Sequence, residues 1–390
     1  MKRGLFILHE GIGDTIFRSQ VLEHVIAMEK NYKIKIDILS FETHKKQMKT
    51  SERNLHIFQK QFPNIDITLK RGLNKFYPFS FIVNLVLLYI YMRRNGGKYE
   101  FIHGRTNYTA FLSKLVCKNK EVIWDCRGDS LSELKLSLSS YSIFHKLYGY
   151  FIWFPFERLQ IKYLCKKANS GIFVSQDLFD LYQKNVKFER YEIIPCLVNE
   201  SKFYFDANLR EQKRKDLKIP ESSKVFLYSG SMVKYQAIEL QKVFIQKVIS
   251  DKNNFILYIT SDIDYAKEYF KDLLCNRFII TRVSFDEINS YYNASDFAIL
   301  LRENRRLNKV ASPTKFGEYC MTGVKVVLND TVAQAVSFSQ LLGNYVSFES
   351  NTFNNYNDCD RKEVALNTKQ LLSRNSLAKK YIRIYEQKKL

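Results

Sequence analysis

Residues 311–328 read ASPTKFGEYCMTGVKVVL. Ser312-Pro313-Thr314 is a turn that opens a helix, with proline in its first position and Lys315 and Glu318 three residues apart on one face. Gly323 ends the helix, and the apolar run Val324 to Leu328 is a buried strand. Free backbone N–H groups at such a helix start, with a lysine in the first turn, make a seat for phosphate. A carboxylate one turn on can accept hydrogen bonds from sugar hydroxyls. Phosphate and ribose together describe a nucleotide. An ordinary proline-led helix between two strands would carry the same local pattern, so the flanking sequence decides.

Upstream, YYNASDFAILL (Tyr291 to Leu301) reads as a helix end, a turn at Asn293 and Ser295, and a buried strand. A loop with Arg302, Arg305 and Arg306 then leads into the helix. Strand, basic loop, helix and strand form a βαβ unit with the cations at the strand's carboxyl end, where open α/β sheets bind ligands. This combination, with Gly323-Val324-Lys325 following, resembles the donor site of GT-B glycosyltransferases, and among them the large retaining family 4. The resemblance implies two Rossmann-like doubly wound α/β domains facing a central cleft, with a last helix crossing back to the first domain. It also implies that the Ser312-Pro313-Thr314 loop contacts the donor diphosphate and that Glu318 holds the ribose. Many members carry a second glutamate eight residues earlier, against the transferred sugar. Here that position is Val310.

A chain of 390 residues suggests two domains, each with its own core. A hydrophobic content of 46% and a charged content of 26% exclude a disordered protein. The seven cysteines are scattered, with no CxxC pair and no Cys/His cluster at zinc spacing, which favours reduced thiols in a cytoplasmic protein. The N-terminal MKRGLFILHEG is too short and too soon acidic for a signal peptide, and reads as a first strand. The net charge is +21, with 31 Lys and Arg against 19 Asp and Glu in residues 1–200 and 30 against 21 in the rest, so the excess is spread. Such a charge suits nucleic acid, an anionic membrane or small anions, or reflects a lysine-rich bias. No RNP, helix-turn-helix or zinc pattern appears, and the basic residues form no single run, so nucleic acid is not the expected partner.

Strand–turn–helix patterns recur along residues 2–200 and restart at SKVFLYSGSMVKYQAIELQKVF (Ser223 to Phe244). The expected domains are 1–200 for the acceptor, 201–372 for the donor and a returning helix in 373–390. The join lies near residues 197–220, where NLREQKRKDLKIPESS reads as a charged linker. FYPFSFIVNLVLLYIYM (Phe76 to Met92), flanked by Lys75 and Arg93-Arg94, has the minimal length of a spanning helix, but Pro78, Ser80 and Asn84 argue for a core or interfacial one. Tyr141 to Ala168 interleaves aromatics with Lys and Arg, as an edge in lipid headgroups does, or a helix pair with basic outer faces. Both segments point to an enzyme held peripherally on the inner face of the cytoplasmic membrane.

Gly11-Ile12-Gly13-Asp14 is a glycine turn lacking the third glycine of the dinucleotide fingerprint; its backbone, at Gly13 above all, is open to a donor. GDTIFRSQV also faintly resembles the N-terminal loop of heptosyltransferases, an inverting GT-B family, in which Asp14 or Asp125 would be the base. His103, Arg105 and Asn107 end one strand and Asp125, Arg127 and Asp129 the next, a set costly to bury and so expected in a cleft. The D-x-R-G string (Asp125 to Gly128) looks like one that faces the reacting sugar and acceptor in family 4. That likeness makes Asp125 the candidate for polarising the acceptor hydroxyl and Arg127 its orienter; an Asp125–Arg127 or Asp129–Arg105 structural pair is the plain alternative. Gly230, Ser231 and Lys234 follow another strand, and Lys234 with Lys315 could neutralise a leaving diphosphate. Ser231 stands where family 4 members often have arginine. Asp262-Ile263-Asp264 resembles a metal-binding DxD, but Asp262 or Ser261 is better read as a helix cap. No metal or cofactor is required; a nucleotide-diphosphate sugar is the expected donor, and a saccharide or lipid-linked molecule the acceptor.

Overall fold

Thirteen strands, all paired in parallel, form two separate sheets among the described residues of the computed structural model. The structure describes residues 2–13, 16–43, 45–77, 79–139, 141–354 and 357–386, apart from the side chains of 45–47 and 234. The chain divides into one unit of Met1–Leu197 with Arg374–Leu390, and a second of Val198–Ser373.

The first unit holds β1 (Arg3–Leu8), β2 (Lys35–Glu42), β3 (Ile67–Arg71), β4 (Phe101–Arg105), β5 (Glu121–Cys126), β6 (Ser170–Phe173) and β7 (Tyr191–Ile193), in the order 3-2-1-4-5-6-7. The second holds β8 (Lys224–Ser229), β9 (Asn254–Ile259), β10 (Phe278–Thr281), β11 (Phe297–Leu300), β12 (Lys325–Leu328) and β13 (Tyr345–Ser347), in the order 10-9-8-11-12-13. In each sheet the winding reverses beside the unit's first strand, between β1 and β4 and between β8 and β11. Doubly wound sheets bind ligands outside the carboxyl ends of the strands at this reversal. Central strands such as Leu5–Leu8 and Phe297–Leu300 are buried along their length, as helices on both faces require.

The last helix, Arg374–Tyr385, belongs to the first unit. It packs on the helix Glu23–Tyr32 through Leu377, Ala378, Tyr381, Ile384 and Tyr385, which join the core formed by Val21, Val25 and Met28. Arg374 pairs with Glu23 at 2.5 Å at its start.

One expectation needs correction. The charged run after residue 207 is no linker: Ala207–Asp216 is a helix of the second unit, packed on Ile288–Ala294. Its anchors are ionic. Asp296 accepts from Arg210 at 2.6 Å, lies 3.5 Å from Arg214, and also accepts from the backbone of Val225 at 2.8 Å. Arg214, the helix's buried residue, is only 1% exposed. The apolar segment at 76–92 is helical as expected, over the 16 residues Ser80–Asn95; Pro78 lies outside the described residues. No helix among those residues is long and apolar enough to cross a membrane.

Candidate functional site

In the second unit the polar side chains gather at the β8/β11 reversal. The chain leaves β8 through Gly230, where an added Cβ would sit 2.8 Å from the Tyr228 hydroxyl. That hydroxyl donates to the Ser231 carbonyl at 2.8 Å. Asp262 is the cap residue of the helix Ile263–Tyr269, but its side chain makes no capping bond and instead accepts from the Met232 backbone at 3.0 Å, fixing this turn. Lys234 opens a short 3-10 turn over Lys234–Gln236, and its side chain lies outside the described residues.

The chain leaves β11 through Leu301 and Arg302. Asn329, just beyond β12, grips the Arg302 backbone from both sides: Arg302 N–H donates to its Oδ1 at 3.0 Å, and its Nδ2 donates to the Arg302 carbonyl at 2.7 Å. Arg302 is 7% exposed, and among the described residues its guanidinium makes one hydrogen bond, to the Leu301 carbonyl at 2.9 Å. It has no carboxylate partner among the described residues. Burial lowers its pKa, opposed by Tyr228, Tyr319 and Tyr235, yet a guanidinium stays charged in proteins. A buried cation without an anion is costly, and one at a sheet's ligand-binding edge suits an anionic ligand.

Lys315 and Glu318 lie beside it on the helix Thr314–Met321, which starts one residue later than the sequence suggests, with Pro313 as its cap residue. Lys315 Nζ donates to Glu318 Oε2 and to the Tyr292 hydroxyl, each at 3.0 Å. Tyr292 in turn faces Ser229 Oγ at 3.1 Å and Glu318 Oε2 at 3.3 Å. Burial works against the charge on Lys315, but Glu318 together with Tyr319 and Tyr228 outweighs it and the pKa rises. All described partners of the carboxylate meet at Oε2, leaving Oε1 to accept from a ligand. The N–H groups of Thr314 and Lys315, in the first helical turn, precede the first intrahelical acceptor. Gly323 takes φ +70° after the helix, with the Arg361 carbonyl 2.3 Å from where its Cβ would stand. Tyr292 and Ser229 were not singled out in the sequence; topology, not spacing, delivers them.

In the first unit the structure brings His103, Arg105, Asp125 and Arg127 together at the ends of β4 and β5. Asp125, 1% exposed, has Arg127 at 3.3 Å on one oxygen, and His103 at 3.2 Å and Arg105 at 3.7 Å on the other. Arg105 also pairs with Glu10 at 2.8 Å across the β1/β4 reversal. Burial raises the Asp125 pKa, but Arg127, His103 and Arg105 together more than reverse this and hold the carboxyl well below its usual range. Two of the expected acceptor-side residues are corrected here. His103 is fully buried, stacked on Phe6 at 4.2 Å. Asn107 lies in the first turn of the helix Thr106–Val116, where it binds Trp124, Ser130 and Glu157. Asp129 caps the helix Ser130–Leu138, its side chain accepting from the Ser132 backbone.

The C-terminal helix closes this network. The Tyr385 hydroxyl lies 2.7 Å from His103 Nδ1 and 2.6 Å from His24 Nε2. An ionised Asp125 only accepts, so the His103 proton belongs on Nε2, although that contact falls short of a straight hydrogen bond. His103 Nδ1 then accepts from Tyr385, which accepts from His24. Burial lowers both histidine pKa values; for His103 the Asp125 carboxylate opposes it, with Arg105 and Arg127 acting in the same sense as burial. The unfolded chain therefore binds protons below about pH 6.5 that the folded chain refuses, and stability falls as pH drops through that value. We expect a loss of up to about 1.4 kcal/mol per pH unit for each histidine. Urea unfolding at pH 7.5 and 5.5 checks this; a midpoint independent of pH, with His24→Phe and His103→Phe equally flat, would refute it.

The glycine turn after β1 is organised by Glu42, which the sequence reading passed over. This buried carboxylate accepts from Ile12 N–H at 3.1 Å and from Ser40 and Ser51 at 2.7 Å each. Gly11 takes φ +84°, and a Cβ at Gly13 would meet Ser51 at 3.3 Å. Asp14 lies outside the described residues.

No family model and no curated protein matches the chain by sequence. Solved structures match it end to end. Sucrose-phosphate synthase from Thermosynechococcus elongatus superposes with a TM-score of 0.67 at 13% identity, over 99% of each chain. HepE from Anabaena, in complex with UDP and glucose, gives 0.68 at 12% identity over 100% of each. The chain has the GT-B fold. WaaG, a glycosyltransferase involved in lipopolysaccharide biosynthesis, shares it at 0.58 and 10% identity, over 99% of this chain and 96% of its own. The GT-B fold explains why both sheets share the order 3-2-1-4-5-6, with one further strand, β7, in the first, and why each has its polar residues at the same reversal.

Proposed function

We propose that the protein transfers a sugar from a nucleotide-diphosphate sugar to a saccharide or lipid-linked acceptor, with retention of configuration, in cell-surface polysaccharide synthesis. The observation that carries this reading is Arg302: a buried guanidinium with no carboxylate partner among the described residues, at the β8/β11 reversal, beside Lys315 and Glu318. Arg302, Lys315, Lys234 and the Thr314 and Lys315 N–H groups that follow Ser312 and Pro313 hold the diphosphate and stabilise it as it leaves. Glu318 accepts from the ribose hydroxyls, and Gly230, Ser231 and Thr314 line the donor site. In the first unit Asp125 acts as a positioning residue that aims Arg127 and Arg105, and Gly13 offers a bare backbone. The fold likenesses to HepE with UDP and glucose and to WaaG support the donor class and the polysaccharide setting. Retention is favoured by the family 4 resemblance and by the acidity of Asp125, since a general base works best with a pKa near the working pH.

A calorimetric panel of UDP-, GDP-, CMP- and dTDP-sugars tests the reading, followed by NMR of the product anomer. Binding of none of them, with salt-sensitive retention on DNA, would favour a nucleic-acid binder instead; an inverted anomer would favour the heptosyltransferase-like alternative. Glu318→Gln should weaken donor binding by about 1.5–3 kcal/mol, the worth of a charged hydrogen bond, at little cost to the fold. Unchanged affinity would remove Glu318 from the ribose.

We also place the protein at the inner face of the cytoplasmic membrane. Phe144 and Phe151 are 80% and 73% exposed on the segment that interleaves them with Lys146, Arg158 and Lys162, and Ile82, Val86 and Tyr89 are exposed on the helix Ser80–Asn95. The two segments touch through Phe76 with Trp153 (4.4 Å) and Phe81 with Phe156 (5.2 Å). The membrane fraction should therefore hold part of the protein and release it in high salt, each basic residue near anionic lipid contributing about 1 kcal/mol. Complete solubility at low salt would argue against it.

A further inference from the structure

Beside the exposed apolar face lies a groove of about 850 Å³, between the helices Ser80–Asn95 and Thr106–Val116. Val86, Tyr89 and Leu115 contribute apolar walls, and Arg93, Lys118 and Lys120 stand at its end, with no acidic side chain in the lining. Lys120 is partly engaged, donating to the Tyr99 carbonyl; Arg93 and Lys118 are exposed and make no ion pair among the described residues. Gly97 lines the same end, and a Cβ there would meet nothing within 4 Å.

We infer that this groove seats one anionic phospholipid, its chain along Val86, Tyr89 and Leu115 and its phosphate at Arg93, Lys118 and Lys120. The volume is that of a small-molecule site, and three cations without an acid at one end of an apolar trough match a molecule with one charged end. Val86 and Tyr89 belong both to the groove and to the exposed face, so a lipid reaches the groove directly from a bilayer. The site is not an acceptor site. Residues 96–98 and 117–120 precede β4 and β5, so the groove lies at the amino ends of the strands, opposite the edge where Asp125 and Arg127 stand. The inference rests on the membrane reading for its source of lipid, and its test separates the two.

Short-chain dihexanoyl phosphatidylglycerol, kept below its micelle concentration, should bind the full chain in calorimetry at least tenfold more tightly than dihexanoyl phosphatidylcholine. Arg93→Ala with Lys118→Ala should weaken it about thirtyfold, at about fivefold per cation. Gly97→Phe, which fills open space without removing charge, should weaken it too, and both variants should melt like the parent. Equal binding of the two lipids, equal binding of inorganic phosphate, or unchanged binding by both variants would overturn the site. Monomeric lipid bound without pelleting on phosphatidylglycerol vesicles would sink the membrane reading and leave the groove. Pelleting without monomer binding would sink the groove alone.

Discussion

Arg302→Ala should lower turnover by about 10²–10³-fold and weaken binding of the cognate nucleotide-sugar, while leaving the second unit folded. Donors aimed at developing charge in a dry site carry effects of that size, and Arg302 combines 7% exposure with a backbone pinned by Asn329. Its removal also relieves a buried charge that no described carboxylate balances, so the apo variant should melt no lower than the parent and somewhat higher. Stability gained while activity is lost is the mark of a residue kept for its ligand. Arg302→Lys should recover only part of the activity, since an ammonium keeps the charge without the two-pronged geometry. Thermal melts with and without donor, beside initial rates, decide the matter. A variant that melts far below the parent and still binds donor normally would make Arg302 structural.

Asp125→Asn should act in the opposite way. It leaves Arg127 and Arg105 facing a neutral amide in a buried site, and breaking a buried pair by removing one partner costs about 3–5 kcal/mol. Donor affinity of the surviving folded protein should not change, because Arg302, Lys315 and Glu318 belong to the other unit. Denaturant unfolding followed by donor titration at low temperature measures both. A stable Asp125→Asn variant would leave Arg127 and Arg105 balanced by something else and remove the positioning role.

The two doubly wound sheets were legible because central strands such as Phe297–Leu300 are apolar throughout and are followed by glycine or basic turns. The edge strands β3 and β13 were not. They are five and three residues long and mostly half-exposed, so they lack an apolar run. The helix Ala207–Asp216 looked like a linker because ion pairs to Asp296, rather than an apolar stripe, hold it down. At the site, Lys315 and Glu318 could be read together because one helical turn joins them. Tyr292 and Ser229 could not, since only the sheet order brings them to the same carboxylate. His103 and Asn107 misled for a related reason: polar residues at strand ends suggest a cleft when their partners are unknown. The partner of His103 is Tyr385, 282 positions away.

The chain passes from the first unit to the second at Leu197 and returns at Arg374. The first unit is thus written in two pieces, with 176 residues of the other unit between them. Domains generally fold as they leave the ribosome, the amino-terminal one first, but here that order is inverted. Until Tyr381 and Tyr385 emerge, His24 and His103 have no hydroxyl to meet, and the apolar face of Glu23–Tyr32 stands open. The second unit, begun later, has its whole length in hand sooner, while the first has its strands but not its last helix. The half made first is the half finished last, and during synthesis its uncovered face is the one a chaperone would have to shield.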